Sequence, residues 1–398
     1  MSPAAPSPSE VGAATTGAAT DTAEALGPGI YVHVPFCKAR CDYCAFATWT
    51  DRHHLAPSYV DGCLAEYSWA REHPDHPDGL WPEPLPATLY LGGGTPSQLA
   101  PCDLARLVAG IELADGAEVT VEANPDDVTP AWAGAARSAG VTRVSLGVQS
   151  FAPEVLASLG RLHGPELVAP AVGALSRAGI AQVSVDLIYG ATGETDESWA
   201  ATLAAVLELD PAPRHVSAYG LTAEPGTVLW ADRTRHPDDD IEARRYETAD
   251  DVLGEAGYSW YEISNFALAG SRCRHNRNYW TGGDYRGLGC AAHSHRQGRR
   301  WWNRRTPERY LAAVAAGTSA AAASETLDSD ARALETLELS LRTPAGVPEV
   351  ALEDCSHLED LGLVEVRCGR AVLTLRGRLL ANEVACRLRA AGGDDLPL

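Results

Sequence analysis

The chain has 398 residues, 45% of them hydrophobic, with 53 Asp and Glu against 32 Lys and Arg for a formal charge of −21. That length fills one large domain and a smaller one with room for a deep cofactor site, while the acidic surplus argues against nucleic acid or an anionic membrane as a general partner. No apolar run reaches the length of a membrane span, and ten cysteines in 398 residues without a secretory signal are expected of a reduced, cytoplasmic protein rather than a disulfide framework.

Residues 1–27 are Ala, Pro, Ser and Thr without Arg or Lys, the composition of a disordered tail that stays outside the fold. Residues 30–34 read as a first strand, and a short loop carrying Cys37, Cys41 and Cys44 follows it directly. Thiolates spaced C-x3-C-x2-C suit three corners of a 4Fe-4S cubane and leave the fourth iron open to a small molecule. A structural zinc site would pair two C-x2-C knuckles or add histidines at fixed spacing, and neither pattern follows. Cys63, Cys102, Cys355, Cys368 and Cys386 are expected to be small buried hydrophobes.

Residues 55–71 suit a helix, and 72–86 form a surface loop by their breakers. A strand at 88–91 runs into Gly92-Gly93-Gly94-Thr95-Pro96, where bare backbone lets main-chain groups approach a ligand. Further β-branched runs at 118–122, 143–149, 182–188 and 215–221 alternate with Ala/Leu-rich helical stretches, which implies βαβ units and a parallel sheet. Six such strands suggest an α/β fold of the partial TIM-like (β/α)6 kind. Sites in such folds sit at the carboxyl ends of the strands, where this chain places Glu122, Gln149, Asp186 and Tyr219. A carboxylate within an apolar strand is costly unless it is paired or binds something polar.

Residues 272–305 invert the local charge, with nine arginines, the single acid Asp284, and the aromatics Tyr279, Trp280, Tyr285, Trp301 and Trp302. Arginine forks pair with carboxylates and aromatic faces cover flat rings, so the stretch suits a porphyrin with two propionates, or RNA by stacking and phosphate contact. From about residue 324 helices at 330–341 and 351–361, a hairpin over 362–378 turned at Cys368-Gly369 and a last helix at 379–390 suggest a C-terminal α+β, winged-helix-like domain. Its fourteen Asp and Glu against eight Arg from residue 325 onward disfavour phosphate binding, and a lid or dimer surface over the barrel mouth is the expectation. The expected division is thus a tail (1–27), a barrel (28–265), a connecting region (266–323) and the C-terminal domain (324–398).

The cysteine spacing, Tyr43 before the third cysteine and the preceding YVHVPF resemble the radical S-adenosylmethionine (SAM) superfamily, whose open iron takes the amino and carboxylate groups of SAM. GGGTPS at 92–97, EANP at 122–125, RVSLGVQSF at 143–151, LGRLH at 159–163 and DLIYG at 186–190 are similar to the oxygen-independent coproporphyrinogen III oxidase family, over nearly the whole chain after the tail. The resemblance implies a radical SAM barrel whose SAM site is lined by Tyr31, Tyr43, Gly93, Gly94, Thr95, Glu122, Gln149, Arg161, Asp186 and Gly220. True oxidases carry a further cysteine where this chain has Phe46, and the HNxxYW motif His275-Asn276-x-x-Tyr279-Trp280 resembles the haem-chaperone branch of the family. That branch implies haem binding and transfer to an acceptor protein, with His275 as the leading candidate haem ligand and Cys273, Cys290, His293 and His295 behind it. It leaves SAM cleavage open, expects no coproporphyrinogen oxidase activity and allows a homodimer; the alternative is the oxidase itself. Two departures stand out: Ala191-Thr192-Gly193 replaces a Pro-Gly turn, and Ala291 replaces a glycine in the GLGxGAHS-like stretch.

Overall fold

The structure, a computed structural model, describes residues 26–389; the tail expected at 1–27 falls almost wholly outside the described residues, as does residue 390. Six strands form the centre: β1 (Gly29–Val34), β2 (Thr88–Gly93), β3 (Glu118–Ala123), β4 (Arg143–Gln149), β5 (Gln182–Tyr189) and β6 (His215–Gly220). Each pairs in parallel with the next. Period-two alternation gives every strand two different faces. Val119, Val121, Val144, Leu146, Val183, Val185 and Val216 pack into the apolar core, whereas Thr120, Glu122, Arg143, Ser145, Ser184, Asp186, His215 and Ser217 line an interior cavity.

The helices start where local chemistry starts them. Pro130 opens Pro130–Ser138, with Thr129 Oγ accepting from Trp132 N, and Thr195 and Ser198 form a reciprocal capping box at the head of Asp196–Leu207. The helix expected at 55–71 is Ala56–Glu72.

The sheet does not stop at six strands. Beyond β6 come β7 (Ser259–Glu262) and β8 (Asn265–Ala267), antiparallel. At the other edge β9 (Tyr285–Leu288) pairs in parallel with β1, followed by antiparallel β10 (His293–Arg296), β11 (Arg299–Asn303) and β12 (Ala321–Thr326). Among the described residues the result is a twelve-stranded sheet whose order runs from β12 at one end to β7 at the other. Much of the stretch expected merely to connect two domains is therefore sheet. Its strands are three to six residues long and several are dense with arginine, a pattern without the β-branched alternation that marks β1–β6.

The C-terminal unit has its own core around Leu341, Val347, Leu358, Val364, Ala371 and Val384. It contains the helix Ser329–Leu341, β13 (Val347–Pro348), the helix Cys355–Asp360, and the hairpin of β14 (Val364–Arg367) and β15 (Arg370–Leu373). Cys368 and Gly369 make its turn with φ of 53° and 75°. The helix expected over 351–361 is shorter, and the one expected over 379–390 is broken at Leu380 into Leu375–Leu379 and Ala381–Ala385. Arginines dock this unit on the barrel flank. Arg378 grips Asp250 at 2.6 and 2.8 Å and lies 4.5 Å over the Trp260 ring, while Arg342 reaches Glu262 at 2.8 Å. The expected lid is not over the mouth: among the described residues, none beyond Asn276 lines the cavity. No helix among the described residues is long and apolar enough to cross a membrane.

Candidate functional site

The cysteine loop hangs from a closed base. Phe36 and Trp49 bridge in parallel, Cys37 N donates to Trp49 O at 3.2 Å and Trp49 N to Pro35 O at 2.8 Å. Lys38 crosses to Asp126 and Asp127 at 2.8 and 2.5 Å, and Arg235 holds Asp42 at 2.9 Å from the other side. Between these ties Cys37, Cys41 and Cys44 face the cavity as free, half-buried thiols. Thr95 Oγ donates to Cys37 Sγ and Arg161 Nη1 to Cys41 Sγ, both at 3.4 Å. Burial pushes the Cys37 and Cys44 thiols up.

Among the described residues no three His, Cys, Asp or Glu side chains converge on a single-ion site. A cubane does not require that, since its thiolates bind three different irons. Three thiols on one wall, two of them already accepting hydrogen bonds, fit a cluster held at three corners.

The cavity below has a volume of about 560 Å³, in the range of sites that enclose a cofactor. Tyr43, Gly93, Gly94, Thr95, Glu122, Gln149, Arg161, Asp186 and Gly220 all line it. Tyr31 does not: its hydroxyl is bound to His33 Nδ1 at 3.1 Å and its ring stacks on Tyr90. Glu122 Oε1 accepts from Tyr90 OH at 2.9 Å and Oε2 from Gly93 N at 3.1 Å. Burial and then the neighbouring Asp186 push Glu122 up to about 7, against those two donors. Burial pushes Asp186 to about 6, against the Ser217 and Ser145 hydroxyls. Two carboxyls raised by burial in one cavity are poised for a cationic ligand.

Backbone shape contributes as much as charge. A Cβ on Gly93 (φ 99°) would stand 2.2 Å from His33 Nδ1, and one on Gly94 2.5 Å from Val34 O, so only glycine lets the chain turn here. Gln149 has a φ of 67° at a bulge between Gly147 and Gln149, which turns its side chain into the cavity. Arg161 spans the site, donating to Asn124 Oδ1 at 2.6 Å and Gly147 O at 2.8 Å as well as to Cys41. Asn124 belongs to the EANP motif. Its role as the clamp on Arg161, like those of Lys38 and Tyr90, was missed from sequence; only the motif could have pointed to Asn124.

His275 is placed otherwise than expected. It is 1% exposed in the helix Arg274–Trp280, with Nδ1 bound to Thr88 Oγ at 2.8 Å and Nε2 to Tyr279 OH at 2.8 Å. Both ring nitrogens are hydrogen-bonded, so in this structure the side chain ties the helix to β2. From the same motif it is Asn276 that lines the cavity.

The arginine-rich stretch is not an open platform either. Arg286 is buried on Glu66 at 2.8 Å, Arg299 holds Asp78 at 2.7 Å, Arg300 holds Glu335 at 2.6 Å, and Arg304 caps the Ala321 carbonyl. The Arg286 and Arg299 guanidinium groups lie 5.2 and 4.9 Å from the Trp301 ring centroid. Cys290 is buried against Tyr59, His295 is hydrogen-bonded to Gly283 O, and His293 stacks on Trp302. Of the five cysteines expected to be buried, only Cys63 is; Cys102, Cys368 and Cys386 are exposed and Cys355 is half-buried, because they fall on the outer faces of short helices and on the hairpin turn.

Residues 80–206, from just before β2 to the helix after β5, match the Radical SAM superfamily. "Heme chaperone HemW" of Mycobacterium tuberculosis is 40% identical over 373 residues, 89% of this chain and 93% of that protein. "Heme chaperone HemW" of Escherichia coli is 36% identical over 275 residues, 66% and 69% of the two chains. Among solved structures, the coproporphyrinogen III oxidase HemN of E. coli superposes with a TM-score of 0.76 at 23% identity, covering 90% of this chain and 89% of that one, a likeness of fold. On the strength of the relatives' identity and coverage, this chain belongs to the HemW family within the radical SAM superfamily.

Proposed function

We propose that the protein is a cytoplasmic haem chaperone that binds haem and passes it to an acceptor protein, with a 4Fe-4S cluster on Cys37, Cys41 and Cys44 and SAM in the cavity. The observation that carries this reading is the 40% identity to a relative named for haem chaperoning across 89% of the chain. When bound, cluster and SAM together supply radical or binding chemistry that no side chain offers. The chain's own part is to hold and orient. The glycine turn at Gly93 and Gly94 admits a ligand against bare backbone, Glu122 and Asp186 take its positive charge, and Arg161 keeps Cys41 and Asn124 in register.

Phe46 supports chaperoning over oxidation, because it stands 65% exposed at the cavity mouth where the oxidases carry a further cysteine. The test is anaerobic reconstitution, assay of iron and sulfide, and haem titration, with coproporphyrinogen III as a parallel substrate. Haem binding with no vinyl product is expected. Absence of haem binding removes the function, and robust decarboxylation beside an oxidase control replaces it with the oxidase reading.

A further inference from the structure

A run of polar groups leads from the C-terminal unit to the wall of the cavity. It starts at Arg342, which ends the helix Ser329–Leu341 and donates to Glu262 Oε1 from Nη2 at 2.8 Å and from Nε at 3.2 Å. Glu262 Oε2 accepts from Asn265 Nδ2 at 2.7 Å and from Ser264 N at 3.0 Å. Asn265 Oδ1 accepts in turn from Ser217 Oγ at 3.1 Å. Glu262, Asn265 and Ser217 are 1%, 3% and 2% exposed, so bulk water does not interrupt the run. Ser217 lines the cavity, beside Asp186 in the parallel register of β5 and β6, and its hydroxyl reaches that carboxyl as well.

Each link fixes the next. A carboxylate offers only acceptors, so Asn265 must turn its amide nitrogen to Glu262 and its carbonyl to Ser217. The Ser217 hydroxyl has one proton and two acceptors, Asn265 Oδ1 and the Asp186 carboxyl. While Glu262 holds the amide in this orientation, the proton is drawn toward Asn265. Asp186 is then left with Ser145 Oγ, 2.9 Å from its Oδ2, and its negative charge is the less neutralised.

The far end of the run meets the HNxxYW motif. The Arg342 guanidinium lies 5.2 Å from the ring centroid of Trp280, the last residue of that motif, so one cation joins the C-terminal unit, the motif and Glu262. Glu262, Asn265 and Arg342 do not line the cavity. What they do to a ligand there passes through Ser217.

We infer that Glu262 and Asn265 are positioning residues for the cofactor site, and that docking of the C-terminal unit through Arg342 tunes how tightly Asp186 holds the positive charge of SAM, by drawing the Ser217 proton away from it. The inference rests on the reading that SAM occupies the cavity. Loss of Arg342 or of the Asn265 amide releases the proton to Asp186, which then offers its ligand a weaker charge. Linkage makes the effect mutual, so SAM also firms the C-terminal dock.

The test is SAM titration of anaerobically reconstituted full-length protein. Asn265→Leu and Arg342→Met should each weaken SAM about fivefold at unchanged iron and sulfide content, and Arg342→Lys, which keeps a cation for Glu262, should stay near wild type. Arg342 is 32% exposed at the domain boundary, so its variants guard against loss of fold in Asn265→Leu. In a Ser217→Ala background, where there is no proton to redirect, Asn265→Leu should weaken SAM no further. SAM should also slow amide exchange over 329–341 in wild type and not in Asn265→Leu. Unchanged SAM affinity in Asn265→Leu and Arg342→Met overturns the inference, as does wild-type exchange that ignores SAM. An equal loss from Asn265→Leu with and without Ser217 also overturns it, since that marks a merely structural disturbance. Failure of wild type to bind SAM, or undiminished binding by Asp186→Asn, refutes the cofactor reading itself.

Discussion

Glu122→Gln should change the sign of its effect on stability with pH. Burial raises the Glu122 carboxyl from the ordinary 4.5 to about 7, so the folded chain holds this proton more tightly than the unfolded chain does. The group's contribution to stability is then complete below about 4.5 and is lost as the pH climbs through 7. Above pH 7 the burden of ionising it in place is about 3 kcal/mol by that displacement, an upper value because water entering the cavity screens part of it. Glutamine removes the charge but keeps only one oxygen for two donors, Tyr90 OH and Gly93 N, a loss of about 1 kcal/mol. The variant should therefore be about 2 kcal/mol more stable than wild type at pH 8.5 and about 1 kcal/mol less stable at pH 4. Urea unfolding of the reduced, cluster-free chain at the two pH values measures this, provided the slopes agree between variants. A Glu122→Gln chain that is less stable by the same amount at both values would refute the argument. The same substitution should weaken SAM binding, which would identify the carboxylate as retained for its ligand at the expense of the empty fold.

Glu118→Gln should destabilise by about 3–5 kcal/mol, because it strands buried Arg143, and the double change Glu118→Gln with Arg143→Met should recover much of that loss; urea midpoints of the single and double variants decide. In the Cys37→Ala, Cys41→Ala, Cys44→Ala triple variant, iron and sulfide should fall to background, whereas Cys102→Ala and Cys386→Ala should retain four of each. Retention of iron by the triple variant would remove the cluster assignment. Ala291 sits at φ 56°, a left-handed position that disfavours a side chain by about 1 kcal/mol, so Ala291→Gly should raise the urea unfolding free energy by up to that amount.

The parallel half of the fold was legible because β-branched and apolar residues recur along β1–β6 and β3–β6 carry a polar group at or near their ends, Glu122, Gln149, Asp186 and Tyr219. That alternation encodes both what packs outward and what faces the cavity. The strands β9–β11 beyond β1 were not legible, since Arg286, Arg299 and Arg300 disguise them as a charged loop; each finds its acid elsewhere, Glu66, Asp78 and Glu335 respectively, at separations that no local pattern records. The same blindness hid the partners of His275. Its motif was recognisable, but Thr88, the partner that occupies Nδ1, lies 187 residues away. The polar lining of the cavity went unseen for the converse reason: Thr120, Ser184 and His215 look like ordinary strand residues until the strands' common inward face puts them on one wall. The turn at Ala191 survives its missing proline because Gly193, at φ 85°, supplies the backbone geometry and Glu194 N closes on Ala191 O at 3.1 Å.

The tethered base of the cysteine loop bears on the order in which the protein matures. Loop closure is an entropic burden that grows with the number of residues left free. Here the bridge between Phe36 and Trp49, with Lys38 and Arg235 gripping from opposite sides, incurs that burden when the chain folds. The polypeptide thus presents a nearly finished socket to whatever delivers iron and sulfide, and removing the inorganic core should leave the scaffold standing, ready to be refilled.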